Sequence, residues 1–221
     1  MFTGHYAPAF ALKIRYPKAP LWQLFLATQA IDLLFFLLVP LGIERLRLDH
    51  SRPSLLALQL EGMPWSHSLA MTAVYGGLVV AWGIWAKKRD IGTALGLAIL
   101  SHWFLDALVH TPDVPIAPGL DVKVGLGLWE HGLIAYLFET ALVAITGTLL
   151  WKRWSGQTRA NWLFGLVFLL ITIQTLNVFV VPLPKTVLEL AFVSEFSFLG
   201  FAGLAYVVES RTSRQTAKSG T

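Results

Sequence analysis

Long apolar stretches alternate with short polar loops along this chain, and the loops hold most of the charged residues. About 20 apolar residues in an α-helix, which rises 1.5 Å per residue, are enough to cross the ~30 Å hydrocarbon core of a membrane. Helices are the expected spanning form, because each backbone N–H is then bonded within its own segment. The pattern predicts about six membrane-spanning helices, over residues 21–43, 65–86, 91–109, 126–151, 160–183 and 187–208.

The composition agrees with a membrane protein. Of the 221 residues, 55% are hydrophobic and 14% are charged, and the mean hydropathy is +0.62. A soluble domain carries about 25% charged residues, so this chain has too few charges to cover a surface in water. Cysteine is absent, which excludes a disulfide scaffold and a cysteine nucleophile. We expect an all-α polytopic bundle forming one membrane domain over residues 1–210, followed by a disordered cytoplasmic tail at 211–221.

The net charge of +4 indicates membrane topology rather than nucleic-acid binding, because the basic residues lie in short clusters between the apolar stretches. Twelve of the 17 lysines and arginines fall on one predicted side. Loops rich in Lys and Arg stay in the cytoplasm. Both termini are therefore expected to be cytoplasmic.

Ionisable residues inside the predicted spans are the candidate functional groups, because an Asp at the centre of a span costs about 2.5–3.5 kcal/mol to insert. In the third span, His102, Asp106 and His110 follow one another at i, i+4 and i+8, which places them along one stripe of a helix. A His and a carboxylate on consecutive turns can share a metal ion or a proton. A neutral His102 that is hydrogen-bonded to Asp106 is the alternative.

Shorter motifs add further candidates. Asp32 lies within QAIDLL in the first span, His67 lies within PWSHSL, and His5 lies near the N-terminus. Ser66 predicts a helix start with His67 in its first turn, and an interfacial His beside capping serines is the alternative there. Two or three His with one or two Asp give the nitrogen and oxygen ligands that suit Zn²⁺, with Mn²⁺ or Fe²⁺ as alternatives.

These motifs resemble those of a bacterial family of membrane-bound metal-dependent hydrolases, the LexA-regulated inner-membrane type. The single Asp32 stands where the wider family has a PDxD-like motif. The resemblance implies an inner-membrane location and a metal centre of His5, Asp32, His67, His102 and Asp106. It covers about residues 4–130, through Gly4-His5, QAIDLL, PWSHSL and LSHWFLD and, as in one branch of that family, HTPDVP and KVGLGLW.

A hydrolase of this kind would use its metal to activate water against an ester or a phosphoester. Asp32 would be a ligand or the general base, and His110 or Lys123 would stabilise developing negative charge. Membrane lipids are the expected partners and a lipid-linked molecule fits as the substrate. The same residues also fit a proton- or cation-coupled transporter or channel, or a non-catalytic membrane protein whose His and Asp side chains satisfy one another.

The predicted topology separates one candidate from the rest. His5 precedes the first span, on the side predicted to be cytoplasmic, whereas His67 and Asp106 lie toward the outer face. One metal ion cannot be bound by residues on both faces across ~30 Å of hydrocarbon. His5 can join the centre only if the segment 1–18 enters the bundle.

Overall fold

The structure of the protein, a computed structural model, describes residues 1–154 and 158–216. Within that part the chain forms a helix bundle with two small antiparallel strand pairs, which confirms the all-α prediction. The strand pairs are β1 (Arg45–Leu48) with β2 (Leu58–Gly62), and β3 (Val114–Pro115) with β4 (Lys123–Val124). The helices are α1 (Tyr6–Arg15), α2 (Leu21–Thr28), α3 (Ala30–Leu38), α4 (Leu69–Trp85), α5 (Arg89–Val109), α6 (Gly132–Arg153), α7 (Thr158–Phe179) and α8 (Val187–Thr216).

Four helical segments among the described residues are long and apolar enough to cross a membrane, and they contain α5, α6, α7 and α8. A fifth span results if α2 and α3, which meet at a bend of 47°, count as one. With the shorter apolar helix α4, of 17 residues, the count agrees roughly with the predicted six. Large apolar side chains such as Trp85, Leu126 and Phe196 are exposed, as expected for a surface that faces lipid.

The start of α4 and the end of α8 differ from the predicted boundaries. α4 begins at Leu69, because the hydroxyl of Ser68 accepts a hydrogen bond from the N–H of Met71 and caps the helix. His67 therefore lies in the turn before α4, and its predicted place in the first turn of the helix was wrong. At the other end, α8 is helical to Thr216, and the remaining predicted tail, 217–221, lies outside the described residues.

Glycines bring α4 and α5 into close contact. A Cβ atom on Gly83 would lie 2.5 Å from the Cα of Gly92, and one on Gly96 would lie 2.7 Å from the carbonyl oxygen of Gly76. Small residues at such positions let two helix backbones approach closely. This contact fixes the position of α5, the helix that carries His102.

The N-terminal segment lies inside the bundle. α1 packs against α2, α5 and α6, and Tyr6 and Phe10 are fully buried. At the other end of α1, Lys13 pairs with Glu209 of α8. Since α1 is ten residues long, it spans about 15 Å, half the hydrocarbon thickness. It therefore carries His5 into the interior, which was the condition for His5 to join the other candidates.

Candidate metal centre

The bend between α2 and α3 supplies the first contact of the centre. Carbonyl groups in the last turn of a helix lack partners within that helix. The carbonyl of Thr28, the last residue of α2, accepts a hydrogen bond of 2.7 Å from Nδ1 of His102 on α5. The bend therefore orients an imidazole. The prediction had one continuous span over 21–43 and so no bend that could do this.

This hydrogen bond fixes the tautomer of His102. Because Nδ1 carries the proton that is donated to the carbonyl, the neutral ring presents a lone pair at Nε2. Nε2 lies 3.0 Å from Oδ2 of Asp106 and 3.6 Å from Oδ1 of Asp32. It is buried and, among the described residues, makes no hydrogen bond of regular geometry. A buried lone pair thus faces two carboxylates.

His67 is held in the same tautomer by a buried relay. The hydroxyl of Ser66 donates a hydrogen bond of 2.5 Å to Oε2 of Glu44 and lies 2.7 Å from Nδ1 of His67. Since the hydroxyl proton goes to Glu44, the Ser66 oxygen accepts from Nδ1–H. The lone pair of Nε2 then faces Oδ1 of Asp32 at 3.2 Å and Oδ2 of Asp106 at 3.6 Å.

A second group of nitrogens surrounds the other oxygen of Asp106. Oδ1 lies 3.1 Å from Nε2 of His5, 3.6 Å from Nε2 of His110 and 2.7 Å from the α-amino group of Met1. His110 directly follows the last residue of α5 and is in extended conformation. The helix therefore ends one residue before the third member of the predicted stripe. Nδ1 of His110 lies 3.1 Å from a carboxylate oxygen of Asp113 and donates to it, which leaves a lone pair at Nε2 of the neutral ring.

All the candidate site residues except Lys123 meet in one place, which we name the His/Asp cluster. The ligand atoms of five of them form two overlapping groups, each within 4.8 Å, one of His5, His102 and Asp106 and one of Asp32, His67 and His102, and His110 lies next to Asp106. Imidazole nitrogens and carboxylate oxygens are suitable ligands for divalent transition metals. Residues drawn from these groups could therefore hold a metal ion. The members of the His/Asp cluster are His5, Asp32, His67, His102, Asp106 and His110.

A cavity of about 430 Å³ opens above the His/Asp cluster, within the usual size range of small-molecule sites. Three cluster residues line it, namely Asp32, His67 and His110. Its walls are mainly apolar and come from α3, β2 and α8, including Phe35, Phe36, Leu58, Leu60 and Phe198. Lys123 lies exposed on β4, away from the position that its predicted role required.

Sequence reasoning missed the residues that orient the imidazoles. Glu44 precedes β1 by one residue and is 22 positions from Ser66, so no local pattern connects the two. Its other oxygen accepts the backbone N–H groups of Trp65 and Ser66, which places this carboxylate firmly. Asp113 was visible only within the HTPDVP stretch. Its spacing of three from His110 is the one local signal for their contact.

Comparison of the chain with protein-family models, with curated proteins and with solved structures found no match in any of the three. The resemblance to membrane-bound metal-dependent hydrolases therefore rests on its motifs, and both the family and the orientation of the termini stay predictions.

Proposed function

We propose that this protein is a membrane-embedded, metal-dependent hydrolase that acts on an ester or phosphoester of a lipid-like molecule. The observation that carries the proposal is the convergence of the Nε2 lone pairs of His67 and His102 on two carboxylates below an apolar cavity. Zn²⁺ is the cation that this mixture of imidazole and carboxylate ligands favours, with Mn²⁺ and Fe²⁺ as alternatives.

The electrostatics of the His/Asp cluster support a bound cation. In each of these neutral imidazoles Nδ1 carries the proton and donates it away from the carboxylates. The Nε2 lone pair, a hydrogen-bond acceptor, therefore faces carboxylate oxygens, which are acceptors too. The α-amino group of Met1 pairs with Oδ1 of the buried Asp106, but its Oδ2 atom and the carboxylate of Asp32 face imidazole nitrogens, and two neighbouring buried carboxylates call for further positive charge. A divalent cation between the lone pairs and the carboxylates satisfies both sets of atoms.

The two carboxylates differ in their access to a substrate. Asp106 is enclosed by nitrogen atoms and suits the role of a ligand, whereas the side chain of Asp32 is 14% exposed and lines the cavity. A bound divalent cation supplies Lewis acidity, which lowers the pKa of a water molecule and polarises a carbonyl or phosphoryl oxygen. The Asp32 carboxylate is placed to accept the proton of an attacking water molecule.

The lining of the cavity supports a lipid-like substrate. The phenyl rings of Phe35, Phe36 and Phe198 form walls that favour hydrocarbon, and three residues of the His/Asp cluster also line the cavity. A hydrocarbon chain along these walls places the adjoining ester or phosphoester group next to Asp32. An inner membrane is the location that the motif resemblance favours.

One observation favours a second function. A proton held between an imidazole and a carboxylate satisfies the same atoms, since His102 and Asp106 are only 3.0 Å apart. Ion pairs of this kind suit a proton-coupled transporter or a membrane protein without catalysis. In that case the protein relays or stores protons and has no need of a metal.

Hydrolysis of chromogenic and lipid-like esters and phosphoesters by the detergent-purified protein, with Zn²⁺ or Mn²⁺ added, tests the proposal. The variant Asp32→Asn should lower kcat by about 100-fold or more, because general-base catalysis contributes 10²–10⁴-fold. Glu189→Gln is a matched control, since Glu189 is an exposed carboxylate in the cavity lining outside the His/Asp cluster and accepts the N–H of Lys185. Activity that is equal in wild type and Asp32→Asn would contradict the role of Asp32, and no metal-dependent activity on any of these substrates would contradict the proposal.

A further inference from the structure

The rings of His5 and His102 lie face to face. Their centroids are 3.7 Å apart and the ring planes are inclined by only 7°. The lone pair of an imidazole nitrogen lies in the plane of its ring, so a well-coordinated ion lies in that plane too. Nearly parallel planes in stacking contact do not intersect within the site. His5 and His102 therefore cannot both bind the same ion with good geometry.

The carboxylate of Asp106 divides the imidazoles in the same way. Its Oδ2 atom faces Nε2 of His102 at 3.0 Å and of His67 at 3.6 Å. Its Oδ1 atom faces Nε2 of His5 at 3.1 Å and of His110 at 3.6 Å. The two stacked rings, His5 and His102, thus contact different oxygens of the Asp106 carboxylate.

We propose that Asp106 bridges two divalent cations, a proposal that rests on the proposed function and doubles its metal content. The first cation would be held on the Oδ2 side by His67 and His102, with Asp32 beside it as the general base. The second is held on the Oδ1 side by His5 and His110. Both sides lie next to the cavity, which His67, Asp32 and His110 line.

The surroundings of Oδ1 suit a positive charge. The α-amino group of Met1 pairs with Oδ1 at 2.7 Å, at a fully buried position, so this oxygen already accommodates a positive charge, which the second cation would replace. His110 presents its Nε2 lone pair to this side, because Nδ1 donates to Asp113. His5 contributes its Nε2 atom from the end of the buried N-terminal segment.

Two bridged cations make phosphoesters the favoured substrate class. In two-metal hydrolases the ions lie about 3.5–4 Å apart and stabilise the attacking and the leaving oxygen of an in-line displacement at phosphorus. Together with the apolar cavity walls, this favours a lipid phosphoester as the first substrate class to test.

Titration of the detergent-purified full chain with Mn²⁺, followed by metal analysis and electron paramagnetic resonance, tests the proposal without an activity assay. We expect two Mn²⁺ per wild-type chain and a spectrum of exchange-coupled ions. His5→Ala and His110→Ala should each reduce the content to one Mn²⁺ and give the spectrum of an isolated ion. His131→Ala, a change of an exposed histidine outside the His/Asp cluster, should keep two.

The possible outcomes separate this proposal from the proposed function. One Mn²⁺ per wild-type chain, unaffected by His5→Ala and His110→Ala, would overturn the two-ion centre and leave a one-metal hydrolase intact. No bound Mn²⁺ or Zn²⁺ in the wild type would overturn both. Because His5 is fully buried, its replacement can impair folding; His110→Ala, at the cavity surface, then tests the same side of Asp106.

Discussion

Two buried carboxylates, Glu139 and Asp106, have opposite kinds of neighbours. Glu139 on α6 is fully buried, and its oxygens accept hydrogen bonds from the backbone N–H of Phe2, the side-chain amide of Gln174 and the indole N–H of Trp129. Asp106 is as deeply buried and accepts a hydrogen bond from the α-amino group of Met1, but the imidazole atoms around it are Nε2 atoms, three of which carry lone pairs in the neutral rings. Burial alone therefore does not distinguish the two.

The difference lies in where the protons are. Backbone, amide and indole N–H groups are permanent donors, so the network of Glu139 is complete and joins the N-terminal residues to α6 and α7. The imidazoles near Asp106 give their protons to other acceptors, as His102 does to the carbonyl of Thr28 and His110 to Asp113. Their lone pairs and the Asp106 carboxylate then face one another, an arrangement that a shared metal ion or a shared proton would stabilise. Counting donors and acceptors separates a structural carboxylate from a binding one.

The largest expected effect is that of Asp106→Asn on metal binding. The change removes the negative charge shared by both sides of the centre, and the affinity for Zn²⁺ should fall by more than about 100-fold, since loss of a mere supporting hydrogen bond costs 10–100-fold. Metal analysis after dialysis, with circular dichroism to confirm the helix content, measures it. Full metal content in a folded Asp106→Asn protein would contradict the idea that Asp106 binds metal while Glu139 only stabilises the fold.

A smaller effect is expected from Ser66→Ala, because Ser66 is not itself a proposed ligand but supports the proposed ligand His67. It deletes the hydroxyl between Glu44 and Nδ1 of His67, so the affinity for Zn²⁺ should fall by about 10–100-fold. The matched control is Ser68→Ala, which removes only the cap of α4. That control should cost about 1 kcal/mol of stability and leave the affinity unchanged; equal affinities in both variants would contradict the relay.

The smallest effect on metal is expected from Glu139→Gln. The amide cannot accept all the hydrogen bonds of the carboxylate, so the free energy of unfolding should fall by about 1–3 kcal/mol. Metal content should stay at the wild-type level, because Glu139 contacts donors of the structural network. Thermal unfolding and metal analysis of the same sample check both parts. A loss of metal equal to that of Asp106→Asn would show that the two networks act as one.

The sequence predicted the members of the centre better than their arrangement. Apolar length indicated the helices, and the cost of an ionisable group in hydrocarbon selected Asp32, His102 and Asp106. The i, i+4 spacing also placed the last two on one face of α5. These signals come from residues close together in the sequence, so the sequence alone is enough to reveal them.

The parts that sequence could not supply depend on contacts between distant segments. The bend after Thr28 contains neither proline nor glycine, and the His102 hydrogen bond that accompanies it comes from 74 residues away. The burial of α1, which brings His5 to the His/Asp cluster, likewise follows from packing against three other helices. Glu44 is a polar residue at the end of an apolar stretch, a position where most carboxylates face solvent.

The most direct test of the central claim is the metal content of the wild-type protein. The full chain is purified in detergent without chelator, offered Zn²⁺, desalted and analysed by plasma mass spectrometry. We predict at least about one tightly held divalent cation per chain, as expected for a buried site of imidazole and carboxylate ligands. A wild-type protein that stays metal-free after this treatment would contradict the account and leave the His/Asp cluster as a set of proton-sharing ion pairs.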